Sequence, residues 1–249
     1  MESFCSILVY AGCLAAFLGF VSLIRPLKWL GVASRRRGAI IFACGIAAVM
    51  IAFLLPAQET RVAAVETQLD QFMPVYQFHE FHTIRVHASR EKVFQALKEV
   101  RAGEISLFQT LTWIRRFGRR GPESILNAGN ETPIVDVALR SGFMLVTAEP
   151  DREIVAGTLV VAPAGWRRSG FAAEDYNTTL DLPGFVHAAM NFRLEDAGAG
   201  ETQLTTETRV YATDASARRR FAPYWRTIYP GSALIRVMWL RAVKARAEQ

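Results

Sequence analysis

Three histidines near residue 80 are the first group whose chemistry could suit a metal ion. They are His79, His82 and His87. On a strand, His79 and His82 would point to opposite faces, and His79 and His87 would share a face about 26 Å apart at about 3.3 Å per residue. Because metal ligands must surround one ion, this spacing predicts no metal site. We expect these histidines to be ordinary surface or core residues.

Sequence motifs that identify several enzyme classes are absent. The chain has no G-x-S-x-G elbow, no P-loop and no G-x-G-x-x-G fingerprint. Gly198 and Gly200 fall in a predicted hairpin turn, where glycine is expected for its backbone freedom alone. The sequence therefore predicts no cofactor, and it gives no set of catalytic residues.

Two groups of charged residues could supply an acid to a pocket. Glu149, Arg152 and Glu153 cluster at a predicted turn, and Glu207 and Arg209 share one face of a predicted strand. Solvated charges or surface ion pairs are the favoured interpretation, because such pairs are common on protein surfaces. A pocket acid remains the alternative.

Three consecutive arginines, 218–220, precede Tyr224 and Trp225, a combination found in nucleic-acid-binding proteins. A solvated helix face or contact with acidic lipid headgroups is favoured, and no nucleic-acid partner is expected. The aromatic residues Phe221, Trp225 and Trp239 fall at helical spacing and are predicted to be core.

The composition indicates an ordinary globular domain joined to something apolar. The chain has 249 residues, of which 51% are hydrophobic and 21% charged, and its mean hydropathy is +0.16. All three cysteines, Cys5, Cys13 and Cys44, lie in apolar runs within the first 44 residues. A disulfide framework in the rest of the chain is therefore excluded.

Two uncharged runs at the N-terminus are long enough to cross a bilayer. Ser3 to Ile24 spans 22 residues and Gly38 to Gln58 spans 21, and about 20 apolar residues cross the hydrocarbon core. A cleaved signal peptide is one alternative for the first run, although no Lys or Arg precedes it. A buried soluble hairpin is the other, although apolar residues fill every face.

The loop between these runs carries five positive charges, at Arg25, Lys28 and positions 35–37. The positive-inside rule places this loop in the cytoplasm. The N-terminus and the C-terminal domain would then lie on the far side of a cell inner membrane, which the chain would cross twice. Residues 1–58 carry a net charge of +4, so the total of +6 comes mostly from this loop.

The rest of the chain divides into a stalk and a domain. Gln58 to Phe72 has apolar residues at helical spacing, so the second membrane helix is predicted to continue as a stalk until Met73 and Pro74 end it. The predicted organisation is a transmembrane hairpin at 1–58 (spans 3–24 and 38–58), a helical stalk at 59–73 and a folded domain at 74–249.

Strand and helix patterns alternate through the domain. An alternating strand follows Glu80, an amphipathic helix begins after Ser89, and a second helix covers about Glu104 to Arg116. A hairpin is predicted from two strands, Phe143 to Glu149 and Ile154 to Val161.

A second hairpin and two helices complete the pattern. Apolar residues alternate from Val186 to Leu194, the glycine-rich turn follows, and the chain returns from Leu204 to Val210. Helices are predicted at Ala215 to Tyr229 and Ser232 to Ala247, separated at Pro230. This order of elements gives an α+β fold.

Three segments of the domain carry a specific pattern: Val86 to Leu97 (VHASREKVFQAL), Gly142 to Gly157 (GFMLVTAEPDREIVAG) and Thr206 to Ala247. In their order and spacing, these segments resemble bacterial members of the START-like superfamily, also called SRPBCC. The resemblance covers roughly residues 74–247. It implies a helix-grip fold, in which a curved antiparallel sheet wraps around a long C-terminal helix and leaves an apolar cavity between the sheet and the helix. The family includes lipid carriers and polyketide cyclases, and none of its catalytic residue sets maps onto this chain.

The resemblance and the alternating patterns together predict a ligand cavity between the sheet and the last helix. Its predicted lining is His82, Ile84, Val186, Ala188, Met190, Phe192, Leu204, Thr206, Leu234, Ile235, Met238 and Trp239. A membrane-anchored binder of a hydrophobic small molecule or lipid is favoured over an enzyme. A cyclase- or hydratase-like enzyme using the same cavity and a non-binding membrane interaction module are the alternatives. The expected partners are the lipid bilayer and the apolar ligand, and the sequence does not indicate an oligomeric state.

Overall fold

The computed structural model describes residues 2–119, 121–166 and 173–249, and the side chains of 173–175 are not described. The chain divides into two compact units. One comprises residues 1–58 and 219–230, and the other comprises 59–218 and 231–249. The first unit holds two long helices, α1 (Glu2–Ile24) and α2 (Arg35–Leu54), with a 3-10 turn at Lys28–Leu30 between them.

Helices α1 and α2 pack closely through glycines. Gly12 contacts Gly45 and Gly19 contacts Gly38, so the two helices run antiparallel. A Cβ atom added at Gly19 would overlap the backbone of Phe42. Small residues at such spacing allow helix backbones to approach each other, as in membrane helix pairs. Both helices are long and apolar enough to cross a membrane.

The second unit is built on a five-stranded antiparallel sheet in the order β3-β7-β6-β5-β4. The predicted α+β fold, with a long C-terminal helix, is confirmed. Both predicted hairpins are present, with every strand end within a few residues of its predicted position. The strands of the sheet are β3 (Phe78–Val86), β4 (Phe143–Glu149), β5 (Glu153–Val161), β6 (Val186–Gly198) and β7 (Glu201–Ala212).

The predicted helical stalk is wrong. Residues 59–73 contain a two-residue strand, β1 (Thr60–Arg61), which pairs with β2 (Val75–Tyr76), and a short helix, α3 (Gln68–Phe72). A capping box formed by Thr67 and Asp70 starts α3 locally, which separates it from α2. Helix α3 lies on the outer face of the sheet, where Leu69 is fully buried.

The helices of the second unit also differ from the sequence prediction. Helix α4 (Arg90–Glu99) follows Ser89 as predicted, whereas the second helix starts four residues late as α5 (Phe108–Arg115), after a 3-10 turn at Ala102–Glu104. Leu107 interrupts the helix because its φ is 62°, outside the helical region. Two further helices were not predicted: α6 (Ile134–Arg140) and α7 (Ala173–Thr179).

The last two predicted helices form one continuous helix, α8 (Ala215–Ala247), although Pro223 and Pro230 lie inside it. An internal proline costs about 3 kcal/mol because it removes a backbone hydrogen bond. Burial of large side chains on both sides of the prolines, at Phe221, Trp225 and Trp239, offsets this cost. The predicted break at Pro230 is wrong because it rested on the local effect of proline, whereas the packing of these large side chains keeps the helix continuous.

Candidate functional site

The strand residues of the predicted cavity lie on one face of the sheet. His82 on β3 pairs with Thr206 on β7, and Thr206 pairs with Phe192 on β6. Ile84 lies on the same face through its pairing with Leu204. This alternation also places the following residues of β6 on that face: Val186, Ala188 and Met190.

The residues predicted from α8 only partly join this face. Trp239 packs against Phe192 with ring centroids 4.9 Å apart, and Ile235 and Met238 are partly buried against the same core. Leu234 is 36% exposed and lies at the margin. The inner face of β3, β6 and β7 and residues 232–243 of α8 therefore bound one interior region.

Sequence analysis missed a polar group in this interior. Glu80 is 2% exposed and lies on the inner face of β3. Its Oε1 atom lies 2.9 Å from His82 Nε2, and its Oε2 accepts a hydrogen bond of 2.9 Å from the Ser232 hydroxyl on α8. Both carboxylate oxygens thus have partners within the protein.

Arg236 is the second polar residue in this region. Its Nη2 donates to Met190 Sδ over 3.0 Å, and its guanidinium lies 5.4 Å from the centre of the Trp239 ring. Among the residues that the structure describes, its buried Nη1 has no hydrogen-bond partner. A thioether is a weak acceptor, so Arg236 is poorly satisfied.

Burial lowers the pKa of Arg236, an effect that Glu80 opposes and the positive charge of Arg115 reinforces. Because arginine keeps its proton in proteins, the consequence is a buried cation that lacks full compensation. Such a group favours an incoming anion or hydrogen-bond acceptor. The interior is therefore lined mostly by apolar side chains, with Arg236 and Glu80 as its charged groups.

The sequence did contain a signal for both residues. Glu80 has the strand parity of His82 and Ile84, and Ser232, Arg236 and Trp239 follow the i, i+4, i+7 spacing of one helix face.

Two of the charged residues predicted as surface pairs, Glu153 and Arg209, are instead buried on the outer face of the sheet. Arg209 is 4% exposed and donates to Asp70 over 2.7 Å, to Glu207 over 2.5 Å and to the Met73 carbonyl over 3.1 Å. Burial alone would raise the pKa of Asp70, but hydrogen bonds from Arg209 and from the Glu66 backbone outweigh it, so its pKa lies below its usual value. The network fixes α3 and the sheet together and is structural.

Glu153 is likewise buried, at 4% exposure. It accepts hydrogen bonds from the Gln68 backbone over 2.9 Å and from Asn191 Nδ2 over 2.7 Å. Its position on the outer face of β5 removes it from the interior region. Glu153 therefore does not supply an acid to the interior region.

The three histidines near residue 80 each pair with a different glutamate. His79 lies 3.0 Å from Glu207, and His87 lies 2.5 Å from Glu201. Within the described part of the chain, no three His, Cys, Asp or Glu side chains come together as metal ligands would. The fourth histidine, His187, is fully buried, and burial lowers its pKa to about 4.

Comparison with known proteins gives remote structural likenesses. No family model matches the chain, and no curated protein matches it. Similar solved structures include the hypothetical protein jhp0584 from Helicobacter pylori (10% identity, 75% of this chain and 97% of that one, TM-score 0.36). A conserved protein from Geobacillus kaustophilus has 15% identity, 68% and 95% coverage, and a TM-score of 0.34. The ZhuI aromatase/cyclase from Streptomyces sp. R1128 has 15% identity, 69% and 93% coverage, and a TM-score of 0.27.

Proposed function

We propose that this chain is a membrane-anchored binding protein for an amphipathic small molecule. The apolar body of the ligand would lie between the inner face of the sheet and α8. Its polar end, an anion or a hydrogen-bond acceptor, would contact Arg236. Sites of this type are mostly apolar and use a few polar groups to orient the ligand.

The observation that carries this proposal is the state of Arg236. Its Nη1 atom is buried, its guanidinium contacts Met190 and lies near the Trp239 ring, and the two oxygens of Glu80 are bonded elsewhere. A buried charge normally has a partner that satisfies it. A bound carboxylate or phosphate would supply that partner, and apolar burial would contribute roughly 25 cal/mol per Å².

Replacing Arg236 by Gln is expected to abolish selectivity for an anionic head group. The full-length protein, held in amphipol, would be tested with radiolabelled oleate and methyl oleate. A charge-assisted hydrogen bond contributes about 1.5–3 kcal/mol, so the protein should bind oleate about 10–100-fold more tightly than the ester. The R236Q variant should bind both probes with similar affinity.

Arg241→Gln is the matched control, since Arg241 is an exposed arginine one to two turns further along α8. It should keep the preference for oleate. The proposal is overturned if R236Q, folded by near-UV circular dichroism, retains the preference, or if the unaltered protein binds neither probe.

The proposed location is a cell inner membrane crossed by α1 and α2, with residues 59–249 on the extracytoplasmic side. Large apolar side chains on these helices are exposed, including Phe4, Ile7 and Phe17 on α1 and Ile46 and Ile51 on α2. Such surfaces suit a hydrocarbon environment. The five positive charges of the loop at 25–37 support the orientation.

The His82–Glu80 pair favours a second candidate function, proton transfer on the bound molecule. A carboxylate that orients a histidine is a common arrangement for a general base. Incubating the ligand-loaded protein in deuterium oxide would then introduce deuterium at carbon-bound positions of the ligand, as measured by mass spectrometry. His82→Gln should abolish this exchange without releasing the ligand, whereas absence of exchange in the unaltered protein would exclude this function.

A further inference from the structure

Helix α5 and the turn after it expose an unusual amount of apolar surface. Leu107, Trp113, Ile114 and Phe117 are 53%, 57%, 56% and 90% exposed. Single exposed apolar residues are ordinary, but a contiguous group of large ones marks an interaction site. We call Leu107, Trp113, Ile114 and Phe117 the α5 patch.

Phe117 holds a backbone conformation that is unfavourable for a bulky residue. Its φ is 53°, in the left-handed region usually occupied by Gly or Asn. Hydrogen bonds from the Phe117 amide to the Ile114 carbonyl (2.9 Å) and from the Gly118 amide to the Trp113 carbonyl (3.0 Å) maintain it. With its ring 90% exposed, Phe117 gains little packing in return, and such strain is typical of functional positions.

Arginines adjoin the α5 patch. Arg115, Arg116 and Arg119 line an open pocket of about 390 Å³, which Ser124 and Asn127 help to form. Among the residues that the structure describes, its lining contains three basic side chains and no acidic one. An aromatic surface beside arginines and hydroxyl or amide donors complements the interface of a bilayer, where phosphates lie above the acyl chains.

We propose that the α5 patch docks onto an anionic phospholipid surface, with Phe117 and Trp113 entering the acyl boundary and the arginine-lined pocket contacting a lipid phosphate. This inference rests on the proposed membrane anchoring for its local supply of lipid. Only residues 55–58 separate the end of α2 from the second unit. A tether this short keeps the domain near the bilayer.

The test places a fluorescent label at the α5 patch in the full-length protein. Cys5, Cys13 and Cys44 would be replaced by Ser, and Phe117→Cys would carry an NBD group. The protein would be reconstituted at low density into vesicles of phosphatidylcholine with or without phosphatidylglycerol, with brominated acyl chains as quenchers. The matched control carries the label at Glu195→Cys, an exposed position near the β6–β7 turn.

We expect phosphatidylglycerol to shift the emission of the position-117 label to the blue and bromolipids to quench it at least about twofold, because the label enters an apolar layer. The position-195 label should change little. Arg119→Glu should reverse the quenching, whereas Arg152→Glu, another exposed arginine, should not.

Equal quenching at positions 117 and 195 would overturn the proposal. So would a blue shift that grows with protein density without bromolipid quenching, which would indicate that a second copy or another protein covers the patch. Extraction of the protein from the vesicles by alkaline carbonate reports separately on anchoring. A failure of docking is therefore distinguishable from a failure of membrane anchoring.

Discussion

Replacing Arg209 by Leu is expected to lower the free energy of unfolding by about 3–5 kcal/mol, since removing one partner of a buried ion pair leaves the others uncompensated. Asp70 and Glu207 would lose their partner on the outer face of the sheet. The Met73 carbonyl would also lose a donor. Chemical denaturation of the detergent-solubilised protein, followed by tryptophan fluorescence, measures the change.

Arg152→Leu is the control for this variant, because Arg152 has a 73% exposed side chain and pairs with Glu149 at 3.7 Å. A surface pair contributes about 0–1 kcal/mol, so the control should unfold almost as the unaltered protein does. Similar stability of R209L and R152L would show that the Arg209 network does not hold α3 on the sheet.

The same network gives stability an acid dependence. The pKa values of Asp70 and Glu207 are lowered in the folded state, so their contribution is present above their unfolded pKa values, about 4, and is lost as pH falls through the folded ones. His187 also lowers the free energy of unfolding as the pH falls, but this loss begins at a higher pH. Its folded pKa of about 4 lies below the unfolded value of about 6.5. The free energy of unfolding should thus begin to fall below about pH 6.5. The R209L substitution should reduce only the pH dependence that arises from Asp70 and Glu207, below about pH 4, and leave the part due to His187.

Replacing Arg226 by Leu is expected to destabilise the first unit by about 3–5 kcal/mol. Arg226 is fully buried and pairs with Glu2 through two hydrogen bonds of 2.8 and 2.9 Å. It also donates to the carbonyls of Ala52 and Leu55 at the end of α2. One side chain thus stabilises the start of α1 and the end of α2, where its charge complements the helix dipole.

Thermal unfolding in detergent would measure this effect. Arg219→Leu is the control, since Arg219 is exposed and belongs to the same unit. Its midpoint should stay near that of the unaltered protein, while that of R226L should fall by several degrees. Equal midpoints for R219L and R226L would contradict the role assigned to Arg226.

Much of the sheet was predictable because strand alternation is a local signal. The β6–β7 hairpin follows from alternating apolar residues and a turn, and its register pairs Phe192 with Thr206 and Leu194 with Leu204. The short helix α3 was not predictable from spacing alone, since its position depends on distant partners such as Glu153 and Arg209. Continuity of α8 through Pro230 likewise depends on tertiary packing.

The candidate site was predictable in outline but not in its chemistry. Parity and helical spacing placed His82, Phe192 and Trp239 toward one interior. They could not show that Glu80 would be bonded on both oxygens, or that Arg236 would be left with a thioether and an indole ring as neighbours. Those facts depend on how α8 lies across β3 and β6, which no local pattern encodes.

The most direct test of the central claim is to identify the small molecule that copurifies with the protein. The full chain and its R236Q and R241Q variants would be purified from native membranes, and bound molecules would be extracted and quantified by mass spectrometry. We expect an apolar molecule with one acidic or strongly hydrogen-bond-accepting group. The unaltered protein and R241Q should carry nearly the same molar amount of it per protein, and R236Q should carry much less. Recovery of no such molecule, or of equal amounts from all three proteins, would contradict the proposed function.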